Sequence, residues 1–530
     1  MKNMLTPASR WRKARVSLQR TLYGKTYSSG PTAKAKSTEF ASHLPFASLI
    51  LYVVVSIAST TDTVLLKGNQ GFRLPVVGID ISVFGFYIAA PIIILVAHLV
   101  TTKRVAEESQ KHVQPTARNI GSFLDTFTER LLLALLMFAG PGAILFATLR
   151  FASYQHRAVF LLHTGIFLLS IAVSCIRYKE LVQAFRTKTS RIEKAAGWLC
   201  GILFSAYWAV CFDVIFVPPH YSVTLLLKTE TDWLDDEDGG TIALIPHIKI
   251  DRAAKLWDGN TSAGPEDPRF IGFSDKDSAF MNRSVVLDLR GKRLRFLDLH
   301  SQIVPRIWAH DADLSGANLS FSRLYGSVFV NTQFYGVNFD FAALDGATFM
   351  YLRVVRSSFN NSRLRGIYWD GSQIEQTTMY GADLALSSFF GTTFKESKIV
   401  DSMLTAISVD SLNTFNDVIL NSKNSSRVFP IFKPMDDSGE IDKNLFSVDS
   451  QKVAGAIIET VCKSPSDIGS RYAWNMFSQL EVLRTIPLLN EERSDILKRV
   501  LSSDSCNSLP DRGLREILAS SSGRVAPRHP

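Results

Sequence analysis

Hydrophobic positions are distributed differently in the two halves of the chain. In the first half they form long blocks near 44–66, 79–100, 131–149, 158–176 and 197–217. Each approaches the roughly 20 apolar residues a helix needs to cross a bilayer, so the pattern predicts an all-α bundle of about five membrane-spanning helices over 44–219. Pro91 lies within the second block and Pro141 within the third. Proline inside a span removes a backbone donor and kinks the helix, which neighbouring helices can cover. In the second half an apolar residue returns at every fifth position from 312 onward. The series runs Leu314, Leu319, Leu324, Phe329, Phe334, Phe339, Leu344, Phe349, Val354, Phe359, Leu364, Trp369, Ile374, Met379, Leu384, Phe389, Phe394, Ile399 and Leu404. Two positions before each stands a smaller residue, as in Ala312, Ala317, Ser322 and Ser327.

A period of five fits neither the 3.6 of an amphipathic helix nor the 2.0 of a flat strand. It requires a chain that turns a corner once per unit, with the large residue and the small one before it both pointing inward. The register extends back through Leu289, Leu294 and Leu299 and weakens at Val304 and Ala309, where a bulge or loosened coil is expected. This run resembles the pentapeptide-repeat family. The resemblance implies a right-handed, four-sided β-helix over 285–408, about six coils stacked at roughly 4.8 Å into a rod near 29 Å long. The inward residues are then structural. Leu352, Ile367 and Trp369 overfill their sites and are expected to widen the rod locally. The segment 220–284, with YSVTLLLKTE and TIALIPHIKI read as strands, is expected to cap the open start of the β-helix, as such edges require. Residues 409–520 read as mainly helical, and 521–530 as a disordered tail.

Charge refines the picture by its position. The formal net charge is +9, and the segment 1–43 carries nine basic residues against one acid. That tail reads as a basic cytoplasmic flank. Within it, SRWRKARVSLQRTLYG suits either a helix on an anionic membrane surface or a solvated tail. The first apolar run follows this tail without a cleavage site, so no cleavable signal peptide is expected. Lys and Arg are sparse in the first and third loops between spans and abundant in the second and fourth. This places the N-terminus in the cytoplasm of a bacterial inner membrane and, after five crossings, the C-terminal half outside it. Should one weak span, 44–66 or 79–100, only dip into the membrane, that half returns to the cytoplasm.

Candidate chemistry is thin. The intramembrane polar residues Asp62, His163 and Asp213 mark where transport or sensing would reside, against the plainer reading that they cap or satisfy local structure. Asp232, Asp235, Asp236, Glu237 and Asp238 lack the alternation of a calcium loop, and His247, His300 and His310 are scattered without a nucleophile at a recognisable spacing. No metal, cofactor or catalytic residue is expected. Arg353, Arg356, Arg363 and Arg365 form a candidate basic contact patch. Cys175, Cys200 and Cys211 lie in or beside apolar blocks, while Cys462 and Cys506 are read as buried free thiols more readily than as a pair.

Some soluble pentapeptide-repeat proteins mimic DNA, which needs an acidic surface; here 286–405 holds eleven acids and twelve bases, so no nucleic-acid role is expected. The stretch STTDTVLL…LPVVGIDISVFGFYIAAP is similar to bacterial membrane proteins that join several spans to pentapeptide repeats, a likeness that implies no activity. The function expected is a non-enzymatic membrane-anchored scaffold for a protein partner, with a channel, transporter or sensor component as the alternative.

Overall fold

The computed structural model describes residues 43–111 (short of 68–70, 74–77 and 79), 123–184, 191–231, 245–251, 256 and 286–421 (short of 405–406, 410–413 and 417–418), with scattered positions from 451 to 507. These residues fall into two compact units. One contains the residues up to 56, 90–144 and 166–187; the other contains 57–89, 145–165 and those from 188 onward.

The apolar blocks form helices α1 (Leu44–Ala58), α2 (Asp62–Lys67), α3 (Val83–Lys111), α4 (Phe123–Ala152), α5 (Arg157–Ala184) and α6 (Arg191–Phe216). A short antiparallel pair, Gly71–Arg73 with Asp80–Ser82, joins α2 to α3. Among the described residues, Val83–Val105 and Arg157–Lys179 are long and apolar enough to cross a membrane, and the other apolar stretches are shorter. Pro91 and Pro141 both lie inside helices. In the first unit, buried His98 on α3 donates from Nε2 to the Ser174 hydroxyl on α5 at 2.9 Å. The hydroxyl in turn donates to the Met137 and Ser170 carbonyls. Gly140 makes room for the imidazole, since a Cβ there would stand 2.7 Å from it.

From Leu287 the chain winds into a parallel β-solenoid. Leu287–Asp288, Ile307–His310, Val328–Val330, Thr348–Met350, Tyr368–Asp370, Ser388–Phe390 and Ser408–Val409 stack as a seven-stranded sheet on one side. A five-stranded sheet from Gln333–Tyr335 to Thr414–Asn416 occupies the adjacent side, one unit further along the chain. Up to Val409 each strand pairs with the residues twenty positions on, as in Phe329↔Phe349 and Phe349↔Trp369.

Inward residues form columns in which like rings meet: Phe339 and Phe359 stack at 4.6 Å, and Phe349 lies 4.3 Å from Trp369. The corner that the repeat demands is a left-handed residue. Every fifth position from Gly291 to Asp401 has positive φ, a region sterically open to glycine and tolerated by Asn and Asp.

Two expectations about this half are corrected. Val304 and Ala309 are fully buried, and the twenty-residue register runs through them (Ala309↔Phe329), so that coil has no bulge. Across Leu352, Ile367 and Trp369, all buried, the register is unbroken, so the fold is kept there as expected. The solenoid also continues past 408: Thr393 pairs with Thr414 and Lys398 with Ile419, a spacing of twenty-one. One inserted residue therefore pairs Phe394 with Phe415 and Ile399 with Leu420, and coils extend to Asn421.

A third correction concerns the segment before the solenoid. YSVTLLLKTE is not a strand: Val223–Thr231 is helix α7. Of TIALIPHIKI, Lys249 bridges Asp298 in parallel and so covers the first coil. The acidic run 232–238 and most of 409–520 lie outside the described residues. The C-terminal positions that are described include a short helix, Asp504–Asn507, and the disulfide Cys462–Cys506, so these two cysteines are paired and not free.

Candidate functional site

The densest polar construction among the described residues lies where the first coil of the solenoid meets the ends of α2 and α6, all within the second unit. Helix C-termini leave their last four carbonyls without intrahelical partners and carry partial negative charge. Cationic side chains of the first coil take up those carbonyls. Arg295, only 1% exposed, donates to Val214 O at 3.0 Å and to Val217 O at 2.5 Å, and its Nε donates to Asp313 Oδ2 at 2.8 Å. Arg293 reaches Ile215 O at 3.4 Å, and Lys292 Nζ reaches Leu66 O of α2 at 2.9 Å. From the start of α5, Arg157 adds bonds to Ile215 O and Phe216 O. Burial pushes the Lys292 ammonium below its ordinary range, partly offset by nearby Asp288.

Gln155 threads the same junction between α4 and α5. Its Oε1 accepts from the backbone N–H of Arg295, and its Nε2 donates to the carbonyls of Arg295 and Pro246. A buried amide so fully satisfied locks two segments 140 residues apart, since breaking either side strands a polar group away from water.

The residues singled out from sequence acquire definite places. Asp62 forms an ion pair with Arg150 at 2.5 Å and accepts from the backbone N–H of Lys249 at 2.8 Å. Arg150 also donates to Thr60 O. Asp213 accepts from Ser222 Oγ and from the backbone N–H groups of Val223 and Thr224, so its carboxylate caps the N-terminus of α7; a negative charge is favoured there. His163 donates from Nε2 to Tyr87 O at 2.6 Å. The three are not brought together, and each already holds a local structural bond.

The four arginines do not form one patch. Four repeat units make one coil, so Arg353 and Arg363, ten positions apart, lie on opposite sides of the rod. Arg356 pairs with Glu230 of α7, Arg363 with buried Asp345, and Arg365 with Asp383, each at 2.6 Å.

Helix α7 lies along one corner of the solenoid. A Cβ on Gly316 would stand 2.7 Å from Leu225, and one on Gly336 would overlap the Thr229 methyl. These two corner glycines thus serve both the positive φ and the approach of α7, and Arg356–Glu230 extends the contact to the next coil. The chain of support runs from Asp213 through α7 to three successive coils.

Sequence reading missed Arg295, Gln155 and α7. An arginine in RLRFLDL carries no local sign that it will be buried, because its partners are backbone carbonyls eighty residues earlier. The available signal was the cluster Lys292, Arg293, Arg295 at the start of the repeat, facing a series of helix ends. His98, in the apolar stretch AHLV, carried the same signal as His163.

Three comparisons with known proteins bear on the repeat to different degrees. Residues 312–349 match the family model of pentapeptide repeats, in eight copies. No curated protein matches the chain. Among solved structures, the chain is similar to QnrB1, a plasmid-mediated fluoroquinolone resistance protein, at 16% identity and a TM-score of 0.14, over 26% of this chain and 90% of that one. It is also similar to HetL, involved in heterocyst differentiation regulation in the cyanobacterium Nostoc, at 12% identity and a TM-score of 0.13, over 29% and 91%. The third is Rfr23 from the cyanobacterium Cyanothece, at 13% identity and a TM-score of 0.11, over 25% and 88%.

Proposed function

We propose, from the premise that the chain carries a pentapeptide-repeat solenoid, that it is a non-enzymatic scaffold anchored in a bacterial inner membrane, holding the rod in a fixed attitude for a protein partner. The observation that carries this reading is the junction: buried Arg295 and Gln155 bolt the first coil to helix ends with fully satisfied polar bonds. A flexible tether would need none of them.

Anchoring is supported by an inside-out pattern on the helices. Ile93 and Val96 of α3 and Leu161 and Leu168 of α5 are exposed, while His98, His163, Ser170 and Ser174 on the same helices are fully buried. Lipid favours apolar side chains outside and hydrogen-bonded polar ones inside. The alternation of basic loops supports a cytoplasmic N-terminus and a C-terminal half outside the cytoplasm. The Cys462–Cys506 pair supports the same side, because disulfides persist in oxidising compartments. The transporter alternative is weakened by the structural bonds that already hold Asp62, His163 and Asp213.

The test is affinity capture of the detergent-solubilised full chain, alongside flux assays on reconstituted vesicles. A stable stoichiometric protein partner is the expected result; flux without any partner overturns the scaffold reading.

A further inference from the structure

The outer face of the seven-stranded sheet differs from the rest of the rod. Its outward positions include Trp308, Val328, Val330, Met350, Tyr368 and Phe390, all partly exposed, and Tyr351 at its corner is 57% exposed. The adjacent face carries Gln333, Arg353, Gln373, Glu375 and Lys395 at the equivalent sites, with Lys395 and Glu375 already paired at 2.8 Å. Phe321 and Phe341 on another corner stack at 4.7 Å and stay about half exposed, as a narrow ridge and not a flat face. The apolar sheet face is the surface on which the rod offers a broad flat contact.

We infer that this face pairs with the same face of a second copy of the chain, through a two-fold axis parallel to the rod. The argument is self-complementarity. Each strand presents two outward residues, one on either side of its inward one. A two-fold axis running over the inward column exchanges those two at the same level. It sets Asp288 against Arg290 of the second copy, Trp308 against His310, Val328 against Val330, and Tyr368 against Asp370.

Charge meets opposite charge at the first level, apolar meets apolar in the middle, and a phenol meets a carboxylate near the top. Asp288 and Arg290 already pair at 2.6 Å within one chain, and the Tyr368 hydroxyl lies 3.4 Å from its own Asp370, so both bonds can be shared across the axis. An antiparallel arrangement about an axis across the strands sets Asp288 against Ser388 and loses these matches. The parallel one also keeps both first coils at the same end, as two chains held at their first coils require.

Seven strands at about 4.8 Å and three residues' width make roughly 300 Å² per rod, below the roughly 800 Å² per partner of a free-standing complex. The pairing therefore depends on the high local concentration that a shared membrane supplies, and to that extent it rests on the anchoring proposed above.

The experiment uses the full chain in its membrane, co-expressed with two different epitope tags and carrying p-benzoylphenylalanine at position 350. Irradiation is expected to join the two tags, at least tenfold more than the same probe at position 373 on the polar face. Val330→Glu is expected to lower that yield about tenfold while the solenoid keeps its protease resistance. Should Val330→Glu fail to fold, the ratio between positions 350 and 373 decides alone. Equal yields at the two positions, or a product from position 350 confined to one chain, to lipid or to a different protein, overturns the pairing. A captured foreign partner without tag exchange sustains the scaffold and removes the dimer; tag exchange without a partner does the reverse.

Discussion

Arg295 shows how a single side chain joins two kinds of architecture. Its guanidinium spreads donors over Asp313, Val214 O and Val217 O, which suits a planar fork better than a point charge. Arg295→Ala leaves a carboxylate and two helix-end carbonyls buried without a cation, so a loss of about 3–5 kcal/mol is expected, read as a fall in the thermal midpoint of the purified chain. Arg290→Ala, at an exposed pair with Asp288, is expected to cost under about 1 kcal/mol. Equal effects would refute the ranking. His247 adds a pH dependence at the same coil. Burial holds its imidazole below the ordinary 6.5, against the raising influence of the Ile245 carbonyl, Asp298 and Asp62 and with the help of Lys249. The folded ring stays neutral where the unfolded one takes up a proton, so stability is full above pH 6.5 and falls as pH drops below it. His247→Gln should flatten the fall in melting temperature between pH 6.5 and 5; an unchanged slope assigns it to other groups.

At the scale of elements, the solenoid was legible because its period is local: a large residue every fifth position needs no knowledge of the rest of the chain. The corners were partly legible, since Gly316, Gly336 and Gly371 mark them, while Phe321 and Tyr351 occupy the same left-handed conformation unannounced. The last coil was lost because one inserted residue moves the partner of Phe394 from 414 to 415. Helix α7 was misread because VTLLLK alternates poorly and is rich in β-branched and leucine residues; what makes it helical is Asp213 at its N-terminus and the glycine-lined corner beneath it, both distant in sequence. Gly336→Val tests that corner. The change forces a branched side chain into positive φ and into the space of Thr229, so α7 should lift off and become sensitive to limited proteolysis while the solenoid core survives. By contrast, Phe349→Ala removes a ring stacked between Phe329 and Trp369 in the middle of the rod. It should cost about 3–5 kcal/mol and shift the melting of the whole solenoid, because such folds sum contributions from neighbouring layers. Identical proteolytic patterns for the two variants would contradict the division of labour.

For the whole molecule, sidedness and cysteine chemistry constrain each other. Five spans from a cytoplasmic N-terminus put the C-terminal half outside; four put it inside, where thiols are kept reduced. The Cys462–Cys506 bond closes a separation of 44 residues, worth about 4 kcal/mol to the folded C-terminal region by loop-closure entropy. The placement outside the cytoplasm proposed above is the one in which that bond persists. Sequence spacing alone could not reach this pairing, since neither cysteine belongs to a short motif and only the fold brings their Cα atoms to 4.6 Å. Cys175 on α5 supplies an internal contrast, being free and exposed near the end of a span assigned to the cytoplasmic side. In intact cells, a membrane-impermeant maleimide should label Cys462 and Cys506 only after reduction, and Cys175 only after the membrane is opened. Single-alanine variants identify each signal. If Cys462 and Cys506 instead react without reductant, and only in opened cells, the solenoid stands in the cytoplasm with one fewer crossing beneath it, and the scaffold faces an intracellular partner.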